Sequence, residues 1–289
     1  MAGWTLGVIG GSGLYDLDGL EDRDDLSVET AFGPPSADLV IGRIGAVRLV
    51  FLPRHGPGHR IPPGEINARA NIEALKRAGC TDVLSLSAVG SLREDLAPGT
   101  FVAVDQYIDR TVGRPASFFG QGLTAHVSLA DPVCPRLSAL AAEAGRAAGA
   151  IVVEGGTYLA MEGPQFSTRA ESVLYRSWGC AVIGMTNMPE ARLAREAELP
   201  YASICMVTDY DCWRAGEAAV EVSQILDVMR ANTARAQGLI WNLARALPAE
   251  RPASPIDRAL DSAIITAPDA RDAALVRRLD VVAGRVLRG

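Results

Sequence analysis

The chain has 289 residues, 48% of them hydrophobic and 21% charged, which suffices for the core of one large α/β domain or two small ones. A formal net charge of -6 without a Lys/Arg cluster argues against a nucleic-acid surface, yet permits a local pocket for a small anion. No apolar run nears the ~20 residues that span a bilayer, and the start Met-Ala-Gly-Trp-Thr-Leu-Gly lacks the marks of a secretory signal, so a cytoplasmic protein without membrane attachment is expected.

In chain order, residues 5–9 read as a short apolar strand ending in Gly10-Gly11-Ser12-Gly13. Residues 38–44 and 47–53 alternate in polarity around Gly45-Ala46, the pattern of a hairpin. Residues 65–78 set Ile66, Ala70, Ile72, Leu75 and Ala78 at mostly helical spacing, with Gly79 as a stop. Strands are predicted at 83–86 and 100–108. Residues 110–135 have no period, and a loop that long in a compact domain is usually functional or disordered.

Helix 136–148 follows, then strands 150–154 and 157–161, helix 168–178, strand 181–185, helix 189–197, strand 201–208 and a long helix 217–246. Such alternation predicts an α/β sheet with helices on its faces. The Pro-rich stretch from Pro248 to Pro255 reads as a linker, separating a domain over 1–247 from a tail over 248–289. In the tail, Leu275, Leu279, Val282 and Val286 mark one face of a final helix, which must pack on the parent domain or on a neighbouring subunit. The five scattered cysteines, with no Cys-x-x-Cys, read as reduced thiols.

Five places carry candidate chemistry. Gly10-Gly11-Ser12-Gly13 lets main-chain amides approach an anion and adds the Ser12 hydroxyl, although an ordinary tight turn has the same composition. It is no Walker A loop, and Asp16 stands where a dinucleotide fingerprint needs its third glycine. Arg54-His55 offers a planar guanidinium fork suited to phosphate with a donor beside it, or else Arg54 is a surface ion pair. Three histidines with no acidic ligand arrangement argue against a metal site. Ser87-Ala88-Val89-Gly90-Ser91 and Met185-Thr186-Asn187 end further strands, where ligands of open α/β sheets gather. In Thr208-Asp209-Tyr210-Asp211, an extended chain projects both carboxylates to one side, and their repulsion favours a proton on one of them. Helix capping is the competing reading of these acids.

Together these motifs identify a family. Gly-Gly-Ser-Gly-Leu at 10–14, Pro-Arg-His-Gly at 53–56, Gly-Ser-Leu-Arg-Glu at 90–94, Glu-Gly-Pro-Gln-Phe-Ser-Thr-Arg-Ala-Glu-Ser at 162–172, Met-Thr-Asn-Met-Pro-Glu at 185–190 and Thr-Asp-Tyr-Asp-Cys-Trp at 208–213 resemble, in order, the motif set of the S-methyl-5'-thioadenosine phosphorylases, within the trimeric purine nucleoside phosphorylase family. The resemblance covers about residues 5 to 245. It implies a purine nucleoside phosphorylase-like single domain with a central mixed β-sheet flanked by helices. It implies a homotrimer, a nucleoside substrate, inorganic phosphate as co-substrate and no cofactor.

The resemblance also implies roles. Ser12, Arg54, His55, Ser87, Thr186 and the main chain of Ala88 would hold phosphate. Met185 would lie against the ribose and Phe166 near the base, with Asp209 and Asp211 facing the purine N7 and 6-amino edge as the catalytic acids. His126 would reach the 5' substituent from an adjacent subunit. Ser167 and Val222 stand where relatives acting on 6-oxopurine nucleosides carry Glu and His, which favours adenine and a methylthio group here. Gln165 and Asn187 depart from the common family residues. A broader purine nucleoside or methylthioinosine phosphorylase, a water-using nucleosidase and a non-catalytic nucleotide-binding module remain as alternatives.

Overall fold

The computed structural model describes residues 3–11, 13, 14, 17–214 and 222–288, without the side chains of 222–227. Eleven strands form one mixed sheet: β1 (Thr5–Gly10), β2 (Glu21–Leu26), β3 (Leu39–Ile44), β4 (Val47–Pro53), β5 (Asp82–Ser91), β6 (Phe101–Val104), β7 (Gln106–Asp109), β8 (Val152–Glu154), β9 (Thr157–Ala160), β10 (Cys180–Gly184) and β11 (Tyr201–Asp209). One path runs β2-β3-β4-β1-β5-β10-β9-β7, and a branch leaves β5 through β11 to β6 and β8. The helices are α1 (Ala68–Arg77), α2 (Pro135–Ala147), α3 (Arg169–Ser177), α4 (Asn187–Glu196), α5 (Val222–Ala246), α6 (Ala273–Arg278) and α7 (Gly284–Leu287).

Local sequence explains the helix starts. Asn67 caps α1 by accepting the Ala70 N–H, and α3 opens with a capping box between Thr168 and Glu171. Helix α2 begins on Pro135, at a position where the missing N–H has no intrahelical partner to lose. Each face of the sheet then has its own core. Ile72 and Leu75 of α1 pack with Leu193 and Ala194 of α4 on one face. Leu137 and Ala141 of α2 pack with Leu239 and Leu243 of α5 on the other.

The fold is the α/β single domain with a mixed sheet that the sequence implies, but four elements differ from expectation. The acidic Glu-Asp-Arg-Asp-Asp-Leu segment forms the exposed edge strand β2. Its charged row carries no apolar alternation to predict a strand, and such charge blunts a free sheet edge. The strand predicted over 100–108 breaks at Asp105 into β6, which pairs with β11 and β8, and β7, which pairs with β9. Strand β5 runs far beyond residue 86, to Ser91. The final helix divides into α6 and α7 around a turn at 279–283.

Residues 248–288 fold back on the domain. Leu260, Leu279 and Val282 enter the same core as α1 and α4. Arg251 pairs with Asp82 at the start of β5 and with Asp257 at 2.7 Å, and Arg285 meets Glu198 at 2.5 Å. No helix among the described residues is long and apolar enough to cross a membrane.

Candidate active site

The site grows from a gap in the sheet. Strand β1 accompanies β5 as far as the pair Ile9↔Ser85, and β10 takes up the same edge at Gly90 and Ser91. Between them, no strand among the described residues covers that edge, while β11 follows β5 along the other. The Leu86 carbonyl points into the gap and accepts from Nη1 of Arg54 at 3.1 Å. Main-chain groups alternate sides along a strand, so Ala88 turns its N–H the same way. The Ser87 Oγ lies 3.2 Å from Oγ1 of Thr186, the residue that precedes α4. Ser87 and Ala88 are therefore inside β5 rather than at its end, and it is the divergence of β1 that uncovers them.

Arg54 differs from both sequence readings. It is only 2% exposed, so it is no surface ion pair. Its fork faces Glu190 instead of the gap, with Nε to Oε2 at 2.9 Å and Nη2 to Oε1 at 3.1 Å. Nη2 also donates to Ser85 Oγ at 2.6 Å, and Nη1 to Leu86. A guanidinium has five N–H groups, so these contacts leave one, on Nη1. Burial opposes the Arg54 charge, and the adjacent Glu190 carboxylate more than offsets it, holding the pKa above its ordinary value. Tyr201 donates to Glu190 Oε1 at 2.7 Å and completes the buried network.

His55 stacks on His59 with ring centroids 4.0 Å apart. Its Nδ1 lies 2.9 Å from the Ile61 carbonyl, which can only accept, so Nδ1 carries the proton. Burial, with the Arg54 charge nearby, pushes the pKa down to about 4. At neutral pH the ring is uncharged, and Nε2 is an acceptor rather than the donor that the sequence suggested.

The acidic pair is not extended. Asp211 has φ 52, so the chain turns after β11 and the carboxylates are not presented by strand alternation. The Asp211 main-chain N–H donates to Asp209 Oδ1 at 2.7 Å, and the Thr208 hydroxyl lies 2.7 Å from Asp209 Oδ2. A bulge between Val207 and Asp209 brings Asp209 opposite Gly90. A Cβ at Gly90 would stand 3.1 Å from Asp209 Oδ1 and 3.2 Å from Ile183, so only glycine leaves the carboxyl this position undisturbed. Burial pushes the pKa of Asp209 up, against the Thr208 and Asp211 hydrogen bonds. Burial pushes Asp211 up as well, opposed by the nearby Ser172 hydroxyl and helped by the Asp209 charge. The Oδ2 of Asp211 is buried with no hydrogen-bond partner.

The loop around Ser167 adjoins these acids, since Cys212 Sγ lies 3.2 Å from the Ser167 carbonyl. Trp213 Nε1 donates to Ser91 O at 2.8 Å, with the Arg176 guanidinium 3.4 Å above its ring centroid. Phe166 is 50% exposed. His126 is exposed too, and its main-chain N–H donates to Ala263 of the tail. Asn187 is fully buried, with Nδ2 2.6 Å from Ser203 Oγ, whereas Gln165 is exposed. Ser12 and the Val222 side chain lie outside the described residues.

Sequence reasoning missed two residues of the site. Glu190 was legible only as part of the Met-Thr-Asn-Met-Pro-Glu motif. Arg114, inside the long loop, had no signal, yet its side chain is 6% exposed. It holds Glu162 with Nε at 3.1 Å from Oε2, and its Nη1 donates to the Met185 and Met188 carbonyls at 2.7 and 3.1 Å. Met185 is thereby fixed beside Gly163, where a Cβ would come within 2.5 Å of its sulfur.

Among the described residues no group of His, Cys, Asp and Glu side chains is arranged to hold a metal ion. A profile described as the Phosphorylase superfamily matches residues 5–245, and the chain belongs to that superfamily. It is 58% identical over 286 residues to an S-methyl-5'-thioadenosine phosphorylase of Cereibacter sphaeroides, covering 98% of this chain and 99% of that one. It is 56% identical to one of Bradyrhizobium diazoefficiens, covering 99% of each. Within the superfamily the chain is thus a member of the S-methyl-5'-thioadenosine phosphorylase family. A crystal structure of a methylthioadenosine phosphorylase from an Antarctic soil metagenomic library aligns with a TM-score of 0.92 at 43% identity, covering 98% of this chain and 99% of that one. A mutant adenosine/methylthioadenosine phosphorylase from Schistosoma mansoni, in complex with methylthioadenosine, aligns at 0.79 and 38% identity, covering 86% and 93%.

Proposed function

We propose that this chain cleaves S-methyl-5'-thioadenosine with inorganic phosphate, releasing adenine and 5-methylthioribose 1-phosphate. The observation that carries this reading is the acidic pair at the end of β11: a half-buried Asp209 held by two hydrogen bonds, and a buried Asp211 whose Oδ2 has no hydrogen-bond partner in the described contacts. Two acids pushed toward the protonated form suit a purine that must gain a proton at N7 and donate from its 6-amino group.

Phosphate sits at the gap of β5, on the Ala88 N–H, the Ser87, Thr186 and Ser12 hydroxyls and the remaining Arg54 N–H, with Nε2 of the neutral His55 accepting from the P–OH of the phosphate. An oxygen of phosphate forms the bond to C1' as the C1'–N9 bond breaks, and its electron pair leaves with the purine. Asp209 supplies the proton that neutralises the base at N7, an effect typically worth ~10²–10⁴-fold. Asp211 accepts from the 6-amino group, Met185 lines the ribose, and Phe166 and Ser167 border the base. The finer expectations stand with this reading: a cytoplasmic homotrimer in which His126 completes a neighbour's site near the 5' substituent, and a Val222 suited to the methylthio group.

The test is adenine release from 5'-methylthioadenosine with and without phosphate. Release that needs phosphate is the expected result; release in its absence makes the protein a nucleosidase. No adenine, with methylthioinosine or inosine cleaved instead, removes the acidic pair as an adenine clamp.

A further inference from the structure

The Arg54 network carries an inference that deepens the proposed phosphate site and rests on that reading. Arg54 is the one cation named in that site, and the described contacts join its guanidinium to Glu190 through both Nε and Nη2. The side chains of Arg54 and Glu190 are 3% and 5% exposed, so water screens neither charge. A phosphate at Ser87 and Ala88 lies beside Leu86, whose carbonyl touches the same guanidinium.

We propose that Glu190 is a positioning residue that offsets the Arg54 charge, so that phosphate meets a single directed N–H of Arg54 beside its neutral partners rather than an unbalanced cation.

The physical consequence is specific. A bare guanidinium in a site of low dielectric binds a phosphate dianion strongly in the ground state and draws electron density from the oxygen that must attack C1'. Binding of that kind lowers KM without helping the transition state, where phosphate has given up part of its charge to the sugar. Glu190 sets the balance from behind. Tyr201 holds Oε1 of the carboxylate at 2.7 Å, while the Arg54 Nε holds Oε2 at 2.9 Å, so its orientation is fixed from two sides. Ser85 receives the second Nη2 proton at 2.6 Å and prevents rotation of the fork toward the gap.

The variant Glu190→Gln keeps an acceptor for Arg54 and removes the charge. The expected result is a split: KM for phosphate falls roughly tenfold while kcat falls by at least as much. A merely structural role predicts the reverse, a looser site with a higher phosphate KM. The gain in melting temperature on adding phosphate is also expected to be larger in the variant than in the parent, because phosphate then supplies the missing counter-charge. A phosphate KM that rises or stays unchanged, or an equal thermal gain, overturns the inference. Should the glutamine variant fail to fold, Glu190→Asp carries the test, since it retains the charge while shortening the reach. Its phosphate KM is expected within about threefold of the parent, and a tenfold fall there also overturns the inference. Adenine release by the parent chain is measured alongside: if it is absent or independent of phosphate, the functional reading fails, and if it needs phosphate, the variants judge the role of Glu190 alone.

Discussion

The main-chain N–H of Asp211 donates to Oδ1 of Asp209 across 2.7 Å, so the turn that follows β11 fixes one acid by means of the backbone of the other. In the proposed mechanism the proton comes from a carboxyl whose orientation is set before substrate arrives. Asp209→Ala is expected to lower kcat for adenine release by ~10²–10⁴-fold. Melting temperature should fall modestly as well, since Asp209 forms no ion pair in the described contacts but its loss leaves the Asp211 N–H and the Thr208 hydroxyl without their acceptor. A fully active Asp209→Ala enzyme would refute the acid role.

Gly90 opposes Asp209 across the β5–β11 ladder. The Cβ of Gly90→Ala would press on Asp209 Oδ1 at 3.1 Å and Ile183 at 3.2 Å. Since displacement of a catalytic group by about 1 Å can cost ~10²-fold, kcat is expected to drop between tenfold and that limit. Overpacking adds about 1–3 kcal/mol of destabilisation. Steady-state kinetics and denaturant unfolding on one preparation check both, and unchanged kinetics would mean that Asp209 has freedom to shift.

Arg114 ties the long loop to Glu162 and to the Met185 and Met188 carbonyls. Lysine cannot reproduce a planar fork with several directed N–H groups. Arg114→Lys should therefore raise the nucleoside KM about tenfold and leave the phosphate KM within about threefold. Equal rises in both would show that Arg114 supports the whole site and not its ribose side.

Glu196 anchors the same loop, accepting from Ser117 Oγ and the Phe118 N–H at 2.7 Å each. Burial pushes its pKa up to about 6 from 4.5. A folded pKa above the unfolded one means that its stabilisation is complete below pH 4.5 and is lost as pH rises through 6. Glu196→Gln removes that titration, so its stability relative to the parent should grow by about 2 kcal/mol across that window and then level off. Unfolding free energies at several pH values test the slope, and a constant difference would mean that the carboxyl does not hold its proton in the folded state.

Much of the core architecture was legible because apolar period and fold agree: β1, the β3–β4 hairpin, α1, α2 and β11 fall close to where spacing puts them. The site residues were legible as types, since Thr186 and Asp209 sit at strand ends with a hydroxyl and a carboxyl, while Ser87 was legible as a hydroxyl although it lies inside β5. Their directions were not. Nothing local reveals that the Arg54 fork is turned to Glu190, 136 positions away, or that Asp211 adopts φ 52. Arg114 was silent for the same reason, as its partners come from two distant stretches, around Glu162 and from Met185 to Met188. Edge strand β2 escaped because its charged side chains follow the needs of a free edge rather than a buried face.

The loop bearing His126 is stitched to the end of the chain. Its Thr124 N–H and carbonyl and its His126 N–H bond to residues 263–266, and the Asp272 N–H reaches back to Gly122. During synthesis, Asp209 can take its place opposite Gly90 once β11 has left the ribosome, some fifty residues before Ala263 does. The acidic end of the site is thus available to form early, whereas the segment around His126 waits for the last part of the chain. A protein released short of residues 263–272 would keep the Asp209–Gly90 pairing while losing the bonds that hold the loop around His126.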